Sequence, residues 1–177
     1  FTDAFAIYGR KEIKNSLLAI VLDGRNIEAR TGMSFAALTS GICLANAGLG
    51  VVHGFASSIG GRYYIPHGMI CGTLMAVSNE LNVRELRKVS DSPIALKKYS
   101  LLGKLFLNIE GKNVDYYIDG FIEYLHHLTN ELKLPGLKEL GIKEDELKEI
   151  ALITECKNNP VKLETDDLIN ILTKRFI

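Results

Sequence analysis

Asn46-Ala47-Gly48-Leu49-Gly50-Val51-Val52-His53-Gly54-Phe55-Ala56-Ser57-Ser58-Ile59-Gly60-Gly61, followed by Ile65-Pro66-His67-Gly68, is the stretch on which the reading of this chain turns, and it holds two of the four histidines. On one continuous helix, residues 53 and 67 would stand roughly 14 rises of about 1.5 Å apart, about 21 Å, too far to serve one ion. Gly60-Gly61 permits a sharp change of backbone direction and Pro66 disfavours a helical Ile65, so the chain is expected to reverse between the histidines. His67 then opens a new helix and faces back toward His53. Two neutral imidazoles meeting this way suit a divalent transition metal such as iron or zinc. Spacing alone leaves a second reading open, in which both are ordinary partly buried histidines bonded to backbone groups.

The segments on either side read as helices. From Asp3 to Leu22 the apolar residues Phe5, Ile7, Tyr8, Ile13, Leu17 and Ile20 recur at three- and four-residue steps, with Thr2 as the expected N-cap and Asp23-Gly24 as the stop. Asn26 caps a second helix, whose Ala29, Met33, Ala36, Ala37, Ser40, Gly41, Leu44 and Ala45 form a stripe of small side chains that predicts close approach by a neighbour. A short apolar stretch, Val51 to Ile59, follows the Gly48-Leu49-Gly50 break, and a helix is predicted from about His67 to Leu81. Helical texture then covers Ile94 to Leu107, Val114 to Leu132, Glu144 to Cys156 and Asp166 to Phe176, separated by Gly111-Lys112-Asn113, Pro135-Gly136 and Asn158-Asn159-Pro160. Glu144, Asp145 and Glu146 in a first turn, and Lys174 and Arg175 in a last one, complement the helix dipole. No segment alternates apolar and polar residues for long, so the fold class is all-α, with six to nine helices. No link much exceeds the usual span of about 2 to 8 residues, so residues 1–177 are expected to form a single domain.

Composition narrows the function. Lys plus Arg total 21 and Asp plus Glu total 21, so no net field steers the chain toward nucleic acid or an anionic membrane, and a small neutral substrate fits better. With 47% hydrophobic residues in 177, there is enough apolar material for a core. No run approaches the ~20 apolar residues of a membrane helix and no signal sequence opens the chain, so the expectation is a soluble, cytoplasmic protein with no membrane partner. Phe1 in place of a starting Met, with Thr2 and Asp3 leading straight into a helix, leads us to expect a fragment of something longer.

The remaining candidates have bland readings. Cys43, Cys71 and Cys156 are widely spaced and without a Cys-x-x-Cys pair, as expected of free thiols in a reducing compartment. Cys71 lies one helical turn after His67, which can set thiol and imidazole side by side, yet a buried thiol is the default. His126 and His127 are adjacent on a helix and point about 100° apart, so they do not grip one ion together. The doublets Tyr63-Tyr64 and Tyr116-Tyr117 read as packing residues. Gly48, Gly50 and Gly54 lie in a helical, histidine-containing context with no preceding strand, unlike a dinucleotide-binding Gly-x-Gly-x-x-Gly.

Gly48-Leu49-Gly50-x-x-His53-Gly54, a glycine at 60, and Pro66-His67-Gly68 at this separation resemble the signature of the iron-containing (group III) alcohol dehydrogenases. The likeness extends along the chain: Thr2-Asp3-Ala4 resembles the family's Thr-Asp-Ala helix start, Glu28-Ala29-Arg30 its Glu-Ala-Arg, Gly141-Ile142-Lys143-Glu144 with Leu147 its Gly-Ile-x-Glu-x-x-Leu, and Asn158-Asn159-Pro160 its Asn-Asn-Pro. The resemblance implies the multi-helix C-terminal domain of the dehydroquinate synthase-like, iron-containing alcohol dehydrogenase type, with His53 and His67 as metal ligands. It implies a divalent metal, iron in the first place and zinc as the alternative, and NAD or NADP held by an N-terminal α/β domain that lies outside 1–177. The implied reaction is reversible oxidation of an alcohol to an aldehyde or ketone by hydride transfer, in an enzyme expected to be a homo-oligomer. The family's other two ligands, an Asp and a His four residues later on one helix, fall before Phe1, and Ser57 stands where many members carry another histidine. The alternatives are a non-catalytic or truncated relative acting in oligomerisation, and a related glycerol dehydrogenase or maleylacetate reductase.

Overall fold

Helix α1 (Thr2–Leu22) begins one residue earlier than expected: Phe1 is its N-cap, and its carbonyl accepts from the amides of Ala4 and Phe5, so Thr2 lies inside the first turn and supplies no cap. Helix α2 (Ile27–Ala47) is capped as its sequence predicts, with Asn26 Oδ1 accepting from the Ala29 amide at 3.0 Å. The computed structural model describes residues 1–89 and 93–177, and these form two compact units, 1–48 and 49–177. In the first, α1 and α2 pack through small residues: Gly9 and Ser16 of one lie buried with Ala29, Gly32, Ala36 and Thr39 of the other. The small-residue stripe is therefore real but rotated, because Ser40, Gly41 and Ala45 are exposed. Phe5, Ile7 and Tyr8, which set the apolar period of α1, are also exposed, while Tyr8 meets Phe35 edge to face at 5.8 Å.

The second unit contains α3 (Val51–Gly60), α4 (His67–Leu86), α5 (Pro93–Leu107), α6 (Val114–Glu131), a 3-10 turn at Glu144–Glu146, α7 (Leu147–Ile153) and α8 (Thr165–Lys174). No strand occurs among the described residues, so the all-α expectation holds. Nor is any single helix among them long and apolar enough to cross a membrane.

Helix α4 is the element around which this unit is built. Its first half sends Ile70, Leu74, Val77 and Leu81 into a core shared with Val51, Phe55 and Ile59 of α3, Leu147 and Ile150 of α7, and Leu168, Ile171 and Leu172 of α8. Its last turns send Val83 and Leu86 into a second core with Tyr99 of α5 and Ile118 and Phe121 of α6. Burial at both ends explains why α4 runs to Leu86 and not to the predicted Leu81. Asn79 and Asn82 lie within the last turns of α4 and each has a partner: Asn79 Oδ1 accepts from Tyr99 Oη at 2.8 Å, and Asn82 pairs with Asn159.

Two late helices are shorter than their sequences predict, for the same kind of reason. α7 stops at Ile153, not Cys156, because the next residues bond to the start of α3: the Asn158 amide donates to Leu49 O at 3.0 Å, and Asn159 Oδ1 accepts from the Val51 amide at 3.2 Å. α8 stops at Lys174, not Phe176, because Arg175 turns inward, where its guanidinium donates to Thr73 Oγ1 at 2.7 Å and to Leu134 O while its carbonyl accepts from the Leu137 amide at 2.9 Å. Burial pushes the pKa of that guanidinium down.

Two motif glycines have structural reasons. Gly48 ends α2 at φ 74°, ψ −164°, a region essentially closed to residues with a side chain. Gly54 lies so close to the chain after α7 that an added Cβ would stand 2.2 Å from Glu155 O and 3.1 Å from Thr154 Cγ2. Backbone cannot yield as a flexible side chain does, so Gly54→Ala is expected to destabilise the fold by about 1–3 kcal/mol. Urea unfolding of the full chain checks this, and an unshifted midpoint would refute the tight contact.

Candidate metal centre

His53 is the third residue of α3, and the helix that carries it is held at its start by Asn159. The Asn159 side chain accepts from the Val51 amide, donates to Val161 O at 2.8 Å, and donates to Asn82 Oδ1 of α4 at 2.7 Å. One carboxamide thus caps α3 from a distance of 108 residues along the chain and ties it to α4. The inner face of α3, Val51, Phe55, Ala56 and Ile59, is buried, which leaves His53 at the margin of the core.

The link 61–66 brings His67 back. Gly61 adopts φ −73°, ψ −16°, so the reversal is made with ordinary right-handed backbone and not with the left-handed freedom that Gly60-Gly61 offered. The Arg62 and Tyr63 amides both donate to Ile59 O at 2.9 Å, and Pro66 at φ −56°, ψ 132° starts α4. Tyr63 and Ile65 pack against the first core. Tyr63 Oη donates to Glu146, and Arg62 meets Glu149 at 2.6 Å. The acids of the 144–149 region therefore fasten this link as well as complementing a helix start. Tyr64, by contrast, is fully exposed, and of the second doublet only Tyr117 is buried.

His67 Nε2 and His53 Nδ1 stand 3.2 Å apart, with ring centroids at 5.2 Å and planes inclined by 30°. Two nitrogens at ~2.0–2.1 Å from one tetrahedral ion would be separated by about 3.3 Å, so the pair fits a shared divalent metal. The reversal read from the sequence thus brings the two predicted ligands together. Cys71, set aside as an ordinary buried thiol, is only half-buried and joins them, its Sγ 3.4 Å from His67 Nε2 and 3.9 Å from His53 Nδ1. Its position one turn after His67 was the available signal. Among the described residues, these three form the one group of three or more His, Cys, Asp or Glu side chains placed to share an ion. Ser57 is exposed one turn beyond His53. His126 pairs with Glu80 at 3.2 Å and His127 faces Glu131 at 3.8 Å, so neither belongs to the cluster.

Partial burial lowers the pKa of His53, and the neighbouring His67 lowers it further; burial pushes the Cys71 thiol up. Both effects favour the uncharged forms.

The Fe-containing alcohol dehydrogenase family, C-terminal, matches residues 1–176. The chain belongs to this family. It is 33% identical to alcohol dehydrogenase 4 of Saccharomyces cerevisiae over 180 residues, which is 99% of this chain and 44% of the yeast protein. Against the NAD-dependent methanol dehydrogenase of Bacillus methanolicus the identity is 31%, over 85% of this chain and 38% of that protein. The crystal structure of a 1,3-propanediol oxidoreductase superposes with a TM-score of 0.88 at 27% identity, covering 99% of this chain and 45% of that one. The chain therefore spans less than half the length of these relatives, and the all-helical fold is that of the family's C-terminal part.

With a folded pKa below 6.5, His53 binds a proton less readily in the folded than in the unfolded chain. Its contribution to stability is therefore present above about 6.5 and is lost as pH falls through that window. In metal-free protein, histidine NMR titration is expected to place the His53 midpoint below 6.5 and to show it rising in His67→Ala, where one cause of the depression is gone. A midpoint at or above 6.5 would contradict the burial described here.

Proposed function

We propose that residues 1–177 act as one helical metal-binding domain, the metal-holding half of an NAD(P)-dependent alcohol dehydrogenase that interconverts an alcohol and its aldehyde or ketone. The observation that carries this reading is the 3.2 Å approach of His67 Nε2 to His53 Nδ1 in a chain of this family. A divalent ion, iron in the first place, supplies Lewis acidity toward an alcohol oxygen when bound.

The work of this chain is to present donors. Partial burial favours the neutral form of His53, the form with a nitrogen lone pair to offer, and α3 holds its ring at the core margin. His67 opens α4 directly after Pro66, at the end of the anchored link 61–66. The remaining two ligands, an Asp and a His, and the nucleotide site belong in this reading to sequence outside 1–177. The substrate in this reading is a small alcohol or aldehyde. Homo-oligomerisation is part of the same proposal, supported by the apolar side chains exposed on α1 and α2, among them Phe5, Tyr8, Phe35 and Leu38.

In the full-length enzyme, His67→Ala is expected to lower bound metal and alcohol-dependent reduction of NAD or NADP together, each by at least about tenfold, because a lost ligand weakens coordination and charge stabilisation at once. Metal analysis beside steady-state kinetics provides the check. Unchanged metal content with full activity would return both histidines to the status of packing residues. Residues 1–177 alone are expected to show no such turnover, since no dinucleotide-binding strand-and-glycine pattern occurs in them.

A further inference from the structure

The register of α4 decides what accompanies His67. Ile70 and Leu74 are fully buried, which turns the His67 and Cys71 positions, one helical turn apart, onto the neighbouring face. For nitrogen at ~2.05 Å and sulfur at ~2.3 Å from one ion, the nitrogen–sulfur separation is about 3.1 Å at a right angle and about 3.6 Å at the tetrahedral angle, so it does not depend on a coordination number of four. Cys71 Sγ lies 3.4 Å from one imidazole nitrogen and 3.9 Å from the other, close to the separations of atoms that share an ion. All three donor atoms lie within 4.8 Å of one another. One ion position therefore reaches both rings and the sulfur without rebuilding the backbone.

We propose that Cys71 Sγ is a third metal-ligating atom of this centre, so that the chain itself offers two imidazoles and one thiolate. This deepens the reading of His53 and His67 as ligands and rests on it. Binding forms a metal–sulfur bond and releases the thiol proton to solvent, with no change of oxidation state. Imidazole and thiolate together accept iron, zinc or cobalt, and cobalt serves as the spectroscopic probe.

The test is a cobalt titration of the full chain after metal removal, followed by near-ultraviolet absorption and by competition with zinc. Wild type, Cys43→Ser and Cys156→Ser are expected to develop a thiolate-to-cobalt charge-transfer band. Cys71→Ser and Cys71→Ala should lack the band and hold both ions at least about tenfold more weakly, because a direct ligand counts for no less than an outer-shell partner. Circular dichroism melts of the near-isosteric serine variant control for folding. A band that persists in Cys71→Ser, or a wild-type cobalt complex without one, would overturn the proposal. His53→Ala and His67→Ala separate the two readings. If they abolish binding while Cys71→Ser changes neither band nor affinity, the cysteine falls and the histidine pair stands; if they too leave binding unchanged, both fall.

Discussion

After His53, α3 rises for seven more residues, about 10 Å, and six residues, 61–66, recover that distance so that His67 returns to within 3.2 Å of His53. The proposed metal centre depends on this recovery. An extended link of six residues reaches at most about 20 Å, so length is ample; the difficulty is order, since fixing each backbone residue costs about 1–2 kcal/mol. Tyr63 and Ile65, packed against the first core, offset part of that by removing apolar surface from water, whereas the exposed Arg62–Glu149 pair sits in solvent, where an ion pair contributes little. Apolar anchoring, more than the ion pair, holds the turn.

The link can be held only because its supports are fixed in turn. Glu146 and Glu149 stand at the start of α7, whose Leu147 and Ile150 lie in the same core as Val51, Phe55 and Ile59. Asn159 closes the arrangement from the other end, capping α3 while bonded to Asn82 of α4. The two helices that carry the donor atoms are thus oriented by residues 77 to 108 positions distant, through hydrogen bonds that a buried polar group must make somewhere. The same demand draws the chain away after α7, where the Asn158 amide donates to Leu49 O.

Burial acts on the cluster in one chemical sense. It disfavours protonated imidazole at His53 and thiolate at Cys71, so both are driven toward their neutral forms. A bound cation reverses the balance for sulfur, since its own charge replaces the lost hydration. The chain has no net charge, so in the proposed reading attraction of a metal would rest on local donors and not on a long-range field.

By itself, the sequence determined the helical class, the cap at Asn26, the break at Gly48, the reversal before Pro66 and the family. These are signals written within a few residues, by propensity, capping chemistry, a closed region of backbone space and a compact motif. Only the tertiary structure decided that Thr2 lies inside α1, that α4 continues through Asn79 and Asn82, that α7 and α8 stop short, and that Cys71 faces the histidine pair. In most of these cases the deciding partner lies far along the chain: Asn159 for Asn82, Leu49 for Asn158, Thr73 for Arg175, His53 for Cys71. A polar side chain near a helix end reads as a stop until its distant partner is known, and a cysteine reads as core filling until the helix is rotated into register against the residues that bury its other face.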